Sequence, residues 1–195
     1  MVRKNLMFLS AVVLTSSASA YGDWTYNPST GHWYQLTGPG LTWTQAEQAA
    51  VVLGGHLVTI NDNAENDWVF AQFGTGGAQL WIGLYQVPGS PEPAGGWVWG
   101  SGEPVMYTNW RLGEPNNDGG IENVATMLGA SDPTTPPAKW NDGVDSPSAS
   151  LFPGIVEREV DPAVPTVSEW GLVVMTLLTL VAGTIILVRP RLARV

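Results

Sequence analysis

The sequence predicts an α+β domain, and three observations support this prediction. Two segments in the first third of the chain carry apolar residues at helical spacing, and short runs typical of β-strands flank them. Residues 100–150 are rich in Gly, Pro, Asn and Asp, which is typical of loops. Helices beside short strands form one α+β core, and 195 residues suit one such core with extra chain at each end.

The first predicted elements are a β-hairpin and a helix. Tyr- and Trp-rich arms within residues 24–37 flank the turn residues 27–31, which indicates a hairpin. Thr42 and Gln45 have the spacing of a capping box, so a helix is expected to begin there. Gly54 and Gly55 are expected to end it. Its predicted inward face consists of Trp43, Ala46, Ala50 and Leu53.

The remaining predicted elements are one more helix and several short strands. The second helix is expected at residues 63–70, with Ala64, Trp68 and Ala71 facing the core. Strands are expected at residues 56–60, 80–84, 97–99 and 154–159. Trp81, Trp97, Trp99 and Trp110 are predicted to supply core packing, because a loop-rich fold needs large side chains to bury apolar area.

The N-terminal segment has the pattern of a secretory signal peptide. Residues 1–20 begin with Arg3 and Lys4, continue with an apolar run at 6–14 and finish with small residues up to Ala20. The alternative is an N-terminal membrane anchor, but the apolar run is shorter than the roughly 18 residues that span a bilayer. We therefore expect an exported domain at residues 21–160.

The C-terminal segment predicts a membrane helix. Residues 172–188 carry no charge, and the basic tail 189–195 is expected in the cytoplasm. Residues 161–171 are a predicted linker, and its part from 164 to 171 resembles the Ile-Pro-Thr-Leu-type sorting signals of Gram-negative bacterial surface proteins. The resemblance implies a cell-surface protein, membrane-anchored or released, whose tail a sorting transpeptidase processes. The alternative is an anchor that is never cut.

Composition excludes several kinds of function. The chain has no Cys, so it can form no disulfide, no thiol nucleophile and no thiolate metal site. Its formal net charge of -9 argues against a nucleic-acid partner, which usually requires a basic face.

Oxygen-bearing side chains are concentrated in the predicted loops. Three carboxylates and two amides suit Ca²⁺, which prefers about six to eight hard oxygen ligands. The alternative is that they are ordinary turn residues of polar loops. These five residues are Glu114, Asn116, Glu122, Asn141 and Asp142.

Several motifs in order give the chain a family resemblance. Gly-Gly-His-Leu-Val at 54–58, Trp-Ile-Gly-Leu at 81–84 and Thr-Asn-Trp at 108–110 resemble the C-type lectin-like domain, and the likeness spans residues 24–159. The resemblance implies that Glu114, Asn116, Glu122, Asn141 and Asp142 bind one calcium ion and a sugar together. Glu-Pro-Asn at 114–116 is similar to lectins that prefer mannose, glucose or N-acetylglucosamine, in which the Glu-Pro bond is cis. Trp140 is expected to pack beneath its two neighbours.

The chain departs from that family where its two usual disulfides would be. Ala50 and Val156 stand at one pair of positions, and Val124 and Asp145 stand at the other. A small apolar pair can fill the first gap. Because Asp145 cannot do the same, the loop at the second gap is expected to depend more on calcium.

The resemblance implies a binding module without enzymatic activity, specifically a calcium-dependent lectin. An enzyme such as a glycosidase could use two of the carboxylates as acid and base, but the sequence offers no further catalytic group. A third interpretation is a structural or protein-binding surface protein in which calcium only stiffens the loops.

Overall fold

The structure is a computed structural model that describes residues 23–130 and 138–161. The predicted signal peptide, the sorting motif, the membrane helix and the basic tail lie outside these residues. Within the two described ranges, no helix is long and apolar enough to cross a membrane. The predictions for the two ends of the chain therefore stay predictions.

The described ranges contain two α-helices and eight short strands. In chain order they are β1 Thr25–Asn27, β2 His32–Leu36, α1 Trp43–Val52, β3 His56–Leu57, α2 Asn63–Phe73, β4 Leu80–Gln86, β5 Trp97–Trp99, β6 Val124–Met127, β7 Trp140–Gly143 and β8 Ile155–Arg158. Single turns of 3₁₀-helix occur at Gly74–Gly76 and Asp118–Gly120. The α+β prediction is confirmed.

The strands form two antiparallel sheets of four. The first has the order β1-β2-β8-β3, and the second has the order β5-β4-β6-β7. An isolated bridge between Trp81 and Gly154 links the two sheets.

The buried apolar residues form two clusters. The main cluster includes the inner residues of β4 and β6 together with Trp99 and Trp140. The smaller cluster consists of Ala46, Ala50, Leu57, Trp81, Val124 and Val156.

Local sequence patterns predicted the hairpin and the first helix correctly. Asn27 pairs with His32 across the hairpin turn. The Thr42 side chain accepts a hydrogen bond from the Gln45 backbone, and the Gln45 side chain accepts one from the Thr42 N–H at 3.0 Å. This is the expected capping box, and it satisfies two backbone groups at the start of α1.

The predicted inward face of the second helix is wrong in two of its three residues. Ala64 and Ala71 are exposed, whereas Glu65 and Asn66 are buried. Both polar residues have hydrogen-bond partners in the core: Glu65 accepts from the Tyr34 hydroxyl at 2.8 Å, and Asn66 accepts from the Trp140 indole N–H at 2.9 Å. Partners of this kind offset the cost of burying a polar group. The spacing of apolar residues gives no sign of such partners, so it could not predict this face.

Two further differences concern strands. Within the predicted strand 56–60, β3 covers two residues, both of which pair with β8. Residues 100–150, expected to be loops, contain β6 and β7, and these pair with each other over four residues. The sequence of β7 is Trp-Asn-Asp-Gly, which is typical of a turn and gives no alternating pattern. Its pairing with β6 therefore comes from tertiary packing.

The positions of the two missing disulfides have different substitutes. Ala50 and Val156 are both fully buried in the smaller cluster, as expected for an apolar pair. Asp145 instead accepts hydrogen bonds from Thr44, one from its N–H at 3.1 Å and one from its hydroxyl. Thr44 lies in the first turn of α1, where backbone N–H groups lack helical partners and a negative charge is stabilising. The carboxylate thus connects the chain after β7 to the start of α1.

Four polar side chains form a network between β2, α2 and β8, and three of them are buried. Glu157 is 1% exposed, and its Oε1 lies 2.5 Å from His32 Nδ1 and 3.0 Å from the Tyr34 hydroxyl. The hydrogen bond to Glu157 raises the pKa of His32 above its usual 6.5. Burial raises the pKa of Glu65, which shares the Tyr34 hydroxyl. The folded state therefore holds protons at this network more tightly than the unfolded chain.

We predict that stability falls as the pH rises through the raised pKa of His32. The contribution of His32 is complete below 6.5, the ordinary value, and is lost above the raised value, because only the protonated ring pairs fully with Glu157. Urea unfolding in chelator at several pH values between about 6 and 9 measures this slope.

His32→Gln should flatten the slope. His56→Gln is the matched control, because the hydrogen-bond partner of His56 Nδ1 is the Leu57 carbonyl, at 2.9 Å, and not the carboxylate of Glu157. Equal flattening by both substitutions would contradict the assignment to His32.

Candidate functional site

The site is organised around the first residue of β7. Trp140 is fully buried, and its ring lies 5.7 Å from Trp99, 5.6 Å from Tyr107 and 5.9 Å from Trp110 between centroids. Trp81 and Trp99 are buried as predicted, whereas Trp97 and Trp110 are half-buried and pack against each other. This packing fixes the residue that immediately precedes Asn141 and Asp142 in β7.

Backbone pairing brings the segment before Glu114 beside β7. The Trp140 N–H donates to the Asn109 carbonyl at 2.9 Å, and the Arg111 N–H donates to the Trp140 carbonyl at 2.8 Å. A tight turn follows, closed by a hydrogen bond from the Glu114 N–H to the Arg111 carbonyl at 3.0 Å. Gly113 has a φ of +93° in this turn, a conformation that favours glycine.

Glu114 lies almost fully inside the protein. Its side chain is 4% exposed, and Oε1 accepts a hydrogen bond from the Arg111 guanidinium at 2.6 Å. The same guanidinium nitrogen donates to Asn141 Oδ1 at 3.2 Å. The other carboxylate oxygen, Oε2, is buried and has no hydrogen-bond partner among the described residues. The Glu114–Pro115 bond is cis, as the family resemblance implied.

Asp142 is fully buried and organises the loop that follows Pro115. Its Oδ2 accepts hydrogen bonds from two successive backbone N–H groups, Asn116 at 3.1 Å and Asn117 at 2.8 Å. Its Oδ1 is buried and unpartnered in the described part of the chain. One oxygen therefore holds the loop, and the other remains available to a ligand.

Glu122 lies at the far end of the same loop. Its Oε2 accepts from the Asp118 N–H at 2.8 Å, and its own N–H donates to Asn117 Oδ1 at 3.0 Å. Burial raises the pKa of Glu122, and the negative charges of Asp142, Asp118 and Glu114 raise it further. The carboxylates of this loop are therefore close enough to repel one another.

The structure brings the five predicted site residues together by indirect contacts. Glu114 and Asn141 share Arg111, while Asp142 and Glu122 both bind Asn117. Asn116 contributes its backbone N–H, and its residue is exposed. No three acidic or histidine side chains in the described ranges stand close enough to form a ligand set by themselves. A metal here would need the amide oxygens as well, as the sequence predicted.

The side chains fit a calcium ion in their chemistry. Glu114 Oε2 and Asp142 Oδ1 are buried acceptors without partners, which is costly unless a cation or a donor binds them. All candidate ligands are hard oxygens, which suit Ca²⁺.

Sequence reasoning missed Arg111 and Asn117. Arg111 had a detectable signal, because residues 21–160 contain only two other basic residues and Arg111 stands three positions before Glu114. Asn117 organises the loop through its left-handed backbone, with a φ of +49°, and this conformation has no distinctive sequence pattern beyond the residue type.

Comparison with known proteins identifies the family. The model of the Lectin C-type domain matches residues 39–150, more than half of the chain. The chain belongs to the C-type lectin family. Human C-type mannose receptor 2 is 30% identical over 135 residues, which are 69% of this chain and 8% of that receptor. The chain therefore matches less than a tenth of the length of this relative.

Solved C-type lectin domains show the same fold. The carbohydrate-recognition domain of cow CD23, crystallised in the presence of a GlcNAc2Man3 oligosaccharide, has a TM-score of 0.58 at 29% identity over 71% of this chain and 94% of that one. The carbohydrate-recognition domain of mouse scavenger receptor C-type lectin has a TM-score of 0.58 at 29% identity, covering 73% of this chain and 97% of that one.

We predict that Asp142→Ala destabilises the protein even without calcium. The substitution leaves the N–H groups of Asn116 and Asn117 without their acceptor, and each lost partner costs about 1 to 3 kcal/mol when buried. Asp118→Ala is the matched control, because it removes an exposed carboxylate from the same loop. Its effect should stay within about 0.5 kcal/mol. The free energy of unfolding of both variants is measured in urea with chelator. Equal losses in the two variants would contradict this role of Asp142.

Proposed function

We propose that the chain is a calcium-dependent carbohydrate-binding module without enzymatic activity. One observation carries the proposal: Glu114 Oε2 and Asp142 Oδ1 are buried acceptors without partners among the described residues. Both belong to the five residues to which the family resemblance assigns calcium and sugar binding. Burying two such oxygens is unfavourable unless something positive binds them. Calcium would supply that charge and accept sugar hydroxyls as further ligands.

Each residue has a distinct role in this proposal. Glu114, Glu122 and Asp142 would hold the ion by charge, and Asn116 and Asn141 would add amide oxygens. A sugar hydroxyl is a weak ligand, so it needs the cation to compete with water. The carboxylates would accept hydrogen bonds from the hydroxyls, and the amides would donate to them. The Glu-Pro-Asn order favours sugars of the mannose, glucose or N-acetylglucosamine type.

The relatives support a carbohydrate ligand of this type. The human relative is a mannose receptor by name, and the cow CD23 domain was crystallised with a mannose-containing oligosaccharide. Export to a bacterial cell surface, through the signal peptide at 1–20 and the membrane helix at 172–188, is part of the same proposal and rests on the sequence alone.

A second candidate function is favoured by the loop contacts. Asp142 and Arg111 hold the loop by hydrogen bonds within the protein, so the surface keeps a defined shape without a ligand. A surface of this kind suits a structural role or a protein partner, with calcium only stiffening the loop.

Calcium should raise the melting temperature of the full-length chain relative to chelator. A ligand that binds the folded state alone adds about 2.7 kcal/mol at a hundredfold excess over Kd. The increment should shrink as the pH falls, because protons compete with the ion for the carboxylates. The raised pKa of Glu122 means that this loss begins above 4.5, its ordinary value. Glu122→Gln should reduce the calcium-induced shift and Glu103→Gln, outside the loop, should not. A wild-type melting temperature insensitive to calcium would remove the ion from the proposal.

Exchanging acid and amide across Pro115 should change the sugar preference. In the double variant Glu114→Gln with Asn116→Asp, the total charge around the ion is unchanged, so calcium affinity should change little. The hydrogen-bond donor moves from position 116 to position 114, because a carboxylate only accepts whereas an amide also donates. Mannose binding should weaken, at about 1 to 3 kcal/mol for each mismatched group. Galactose, whose 4-hydroxyl is axial, should gain.

Titration of both sugars at fixed calcium compares the wild type with the double variant. Calcium binding is measured in parallel, so that a lost ion is not mistaken for a changed preference. If mannose binding survives the exchange while calcium stays bound, the sugar is held elsewhere, and the structural candidate becomes the better one.

A further inference from the structure

Arg111 is the basic residue that contacts the candidate site. Residues 21–160 contain two other basic residues, Lys139 and Arg158. Lys139 donates to Asn109 Oδ1 at 2.5 Å, and Arg158 donates to the Leu53 carbonyl at 3.1 Å. Neither contact involves a predicted calcium ligand. The positive charge inside the acidic loop is therefore supplied by Arg111 among the described residues.

The guanidinium of Arg111 binds two of the five predicted calcium ligands. Its NH2 nitrogen donates to Glu114 Oε1 at 2.6 Å and to Asn141 Oδ1 at 3.2 Å. It thus joins the loop to β7 through the single side-chain oxygen of Asn141 and one of the two carboxylate oxygens of Glu114, whose Oε2 has no hydrogen-bond partner among the described residues. Glu114 is almost fully buried, so this ion pair is less screened by water than a surface pair.

Arg111 is held beside β7 by its backbone, and its side chain is partly exposed to solvent. Its N–H donates to the Trp140 carbonyl, which holds the residue beside β7. Its side chain is 36% exposed, so the guanidinium has a direct path into solvent. A charged group with a fixed base and an open exit can leave its partners without any rearrangement of the core.

We propose that Arg111 is an internal counter-ion that competes with calcium for Glu114 and Asn141. The inference rests on the proposed calcium site. Arg111 neutralises part of the repulsion among the carboxylates and keeps the loop against β7 when calcium is scarce. Calcium must displace it, so the apparent affinity is set by the fraction of molecules in which the guanidinium has left. If that fraction is about one tenth, the apparent Kd is about tenfold weaker than the intrinsic one. The protein would then bind its ion, and through it a sugar, only above a raised calcium threshold.

The test compares Arg111→Gln with Lys139→Gln in the purified full-length chain. Both substitutions remove one positive charge from this part of the domain. Each should therefore raise the calcium affinity slightly through reduced long-range repulsion. Arg111→Gln also removes the competitor. Isothermal titration with calcium should show a Kd about tenfold tighter for Arg111→Gln and less than about twofold tighter for Lys139→Gln. Arg111→Lys, which keeps the charge but not the planar guanidinium, should fall between Arg111→Gln and the wild type.

A second measurement uses the melting temperature instead of a calcium titration. In chelator, Arg111→Gln should melt at a lower temperature than the wild type, because the carboxylates lose their counter-ion. In saturating calcium the difference should close, because the ion has replaced the Arg111 contact in the wild type and the tighter binding by the variant offsets the contact that it lost. This convergence would not follow from general destabilisation, which lowers the melting temperature in both conditions.

The outcomes separate the two proposals. Calcium binding by the wild type with no tightening in Arg111→Gln overturns the competition and leaves the calcium site standing. No calcium binding by either protein overturns both. Binding by Arg111→Gln alone supports the competition in its strongest form, in which the wild-type site is held closed at the concentrations tested.

Discussion

Trp140 lies fully buried at the start of β7, with its ring against Trp99, Tyr107 and Trp110 and its indole N–H bonded to Asn66. The rest of the site depends on this packing. Its backbone pairs with the segment that leads to Glu114, and the two polar residues after it belong to the candidate site. Three aromatic contacts and one hydrogen bond of a single side chain thus fix the strand that carries Asn141 and Asp142.

Electrostatic repulsion is the second constraint on the loop. Three carboxylates lie close enough for their charges to raise the pKa of Glu122, and a chain without disulfides must hold them together by other means. Two means are visible. Asp142 uses one oxygen to bind two backbone N–H groups, which stabilises its charge, and Arg111 pairs with Glu114. Glu114 Oε2 and Asp142 Oδ1 remain without partners among the described residues, so the carboxylates that repel one another are also the groups that a cation would bind.

Local patterns in the sequence predicted the elements whose stability is local. The hairpin follows from its turn residues, and α1 follows from the capping box at Thr42 and Gln45. The face of α2 could not be predicted this way, because Glu65 and Asn66 are buried by partners on distant elements. The strand β7 could not be predicted for the same reason. Its Trp-Asn-Asp-Gly sequence is typical of a turn, and it forms a strand because it pairs with β6. Non-local hydrogen bonds decided each of these cases.

The candidate site also has one part that the sequence predicted and one part that it did not. Its acids and amides could be predicted because their positions match a family pattern, yet the pattern says nothing about what balances their charge. Arg111 balances part of that charge by pairing with Glu114, whereas Asp145 has a structural contact with Thr44. Asp145 takes the place of a disulfide partner and binds the first turn of α1, a bond that forms only once helix and loop are both in place. A covalent bridge would constrain the unfolded chain as well. The chain after β7 is therefore held to α1 only in the folded state, by hydrogen bonds to a charged group instead of a crosslink.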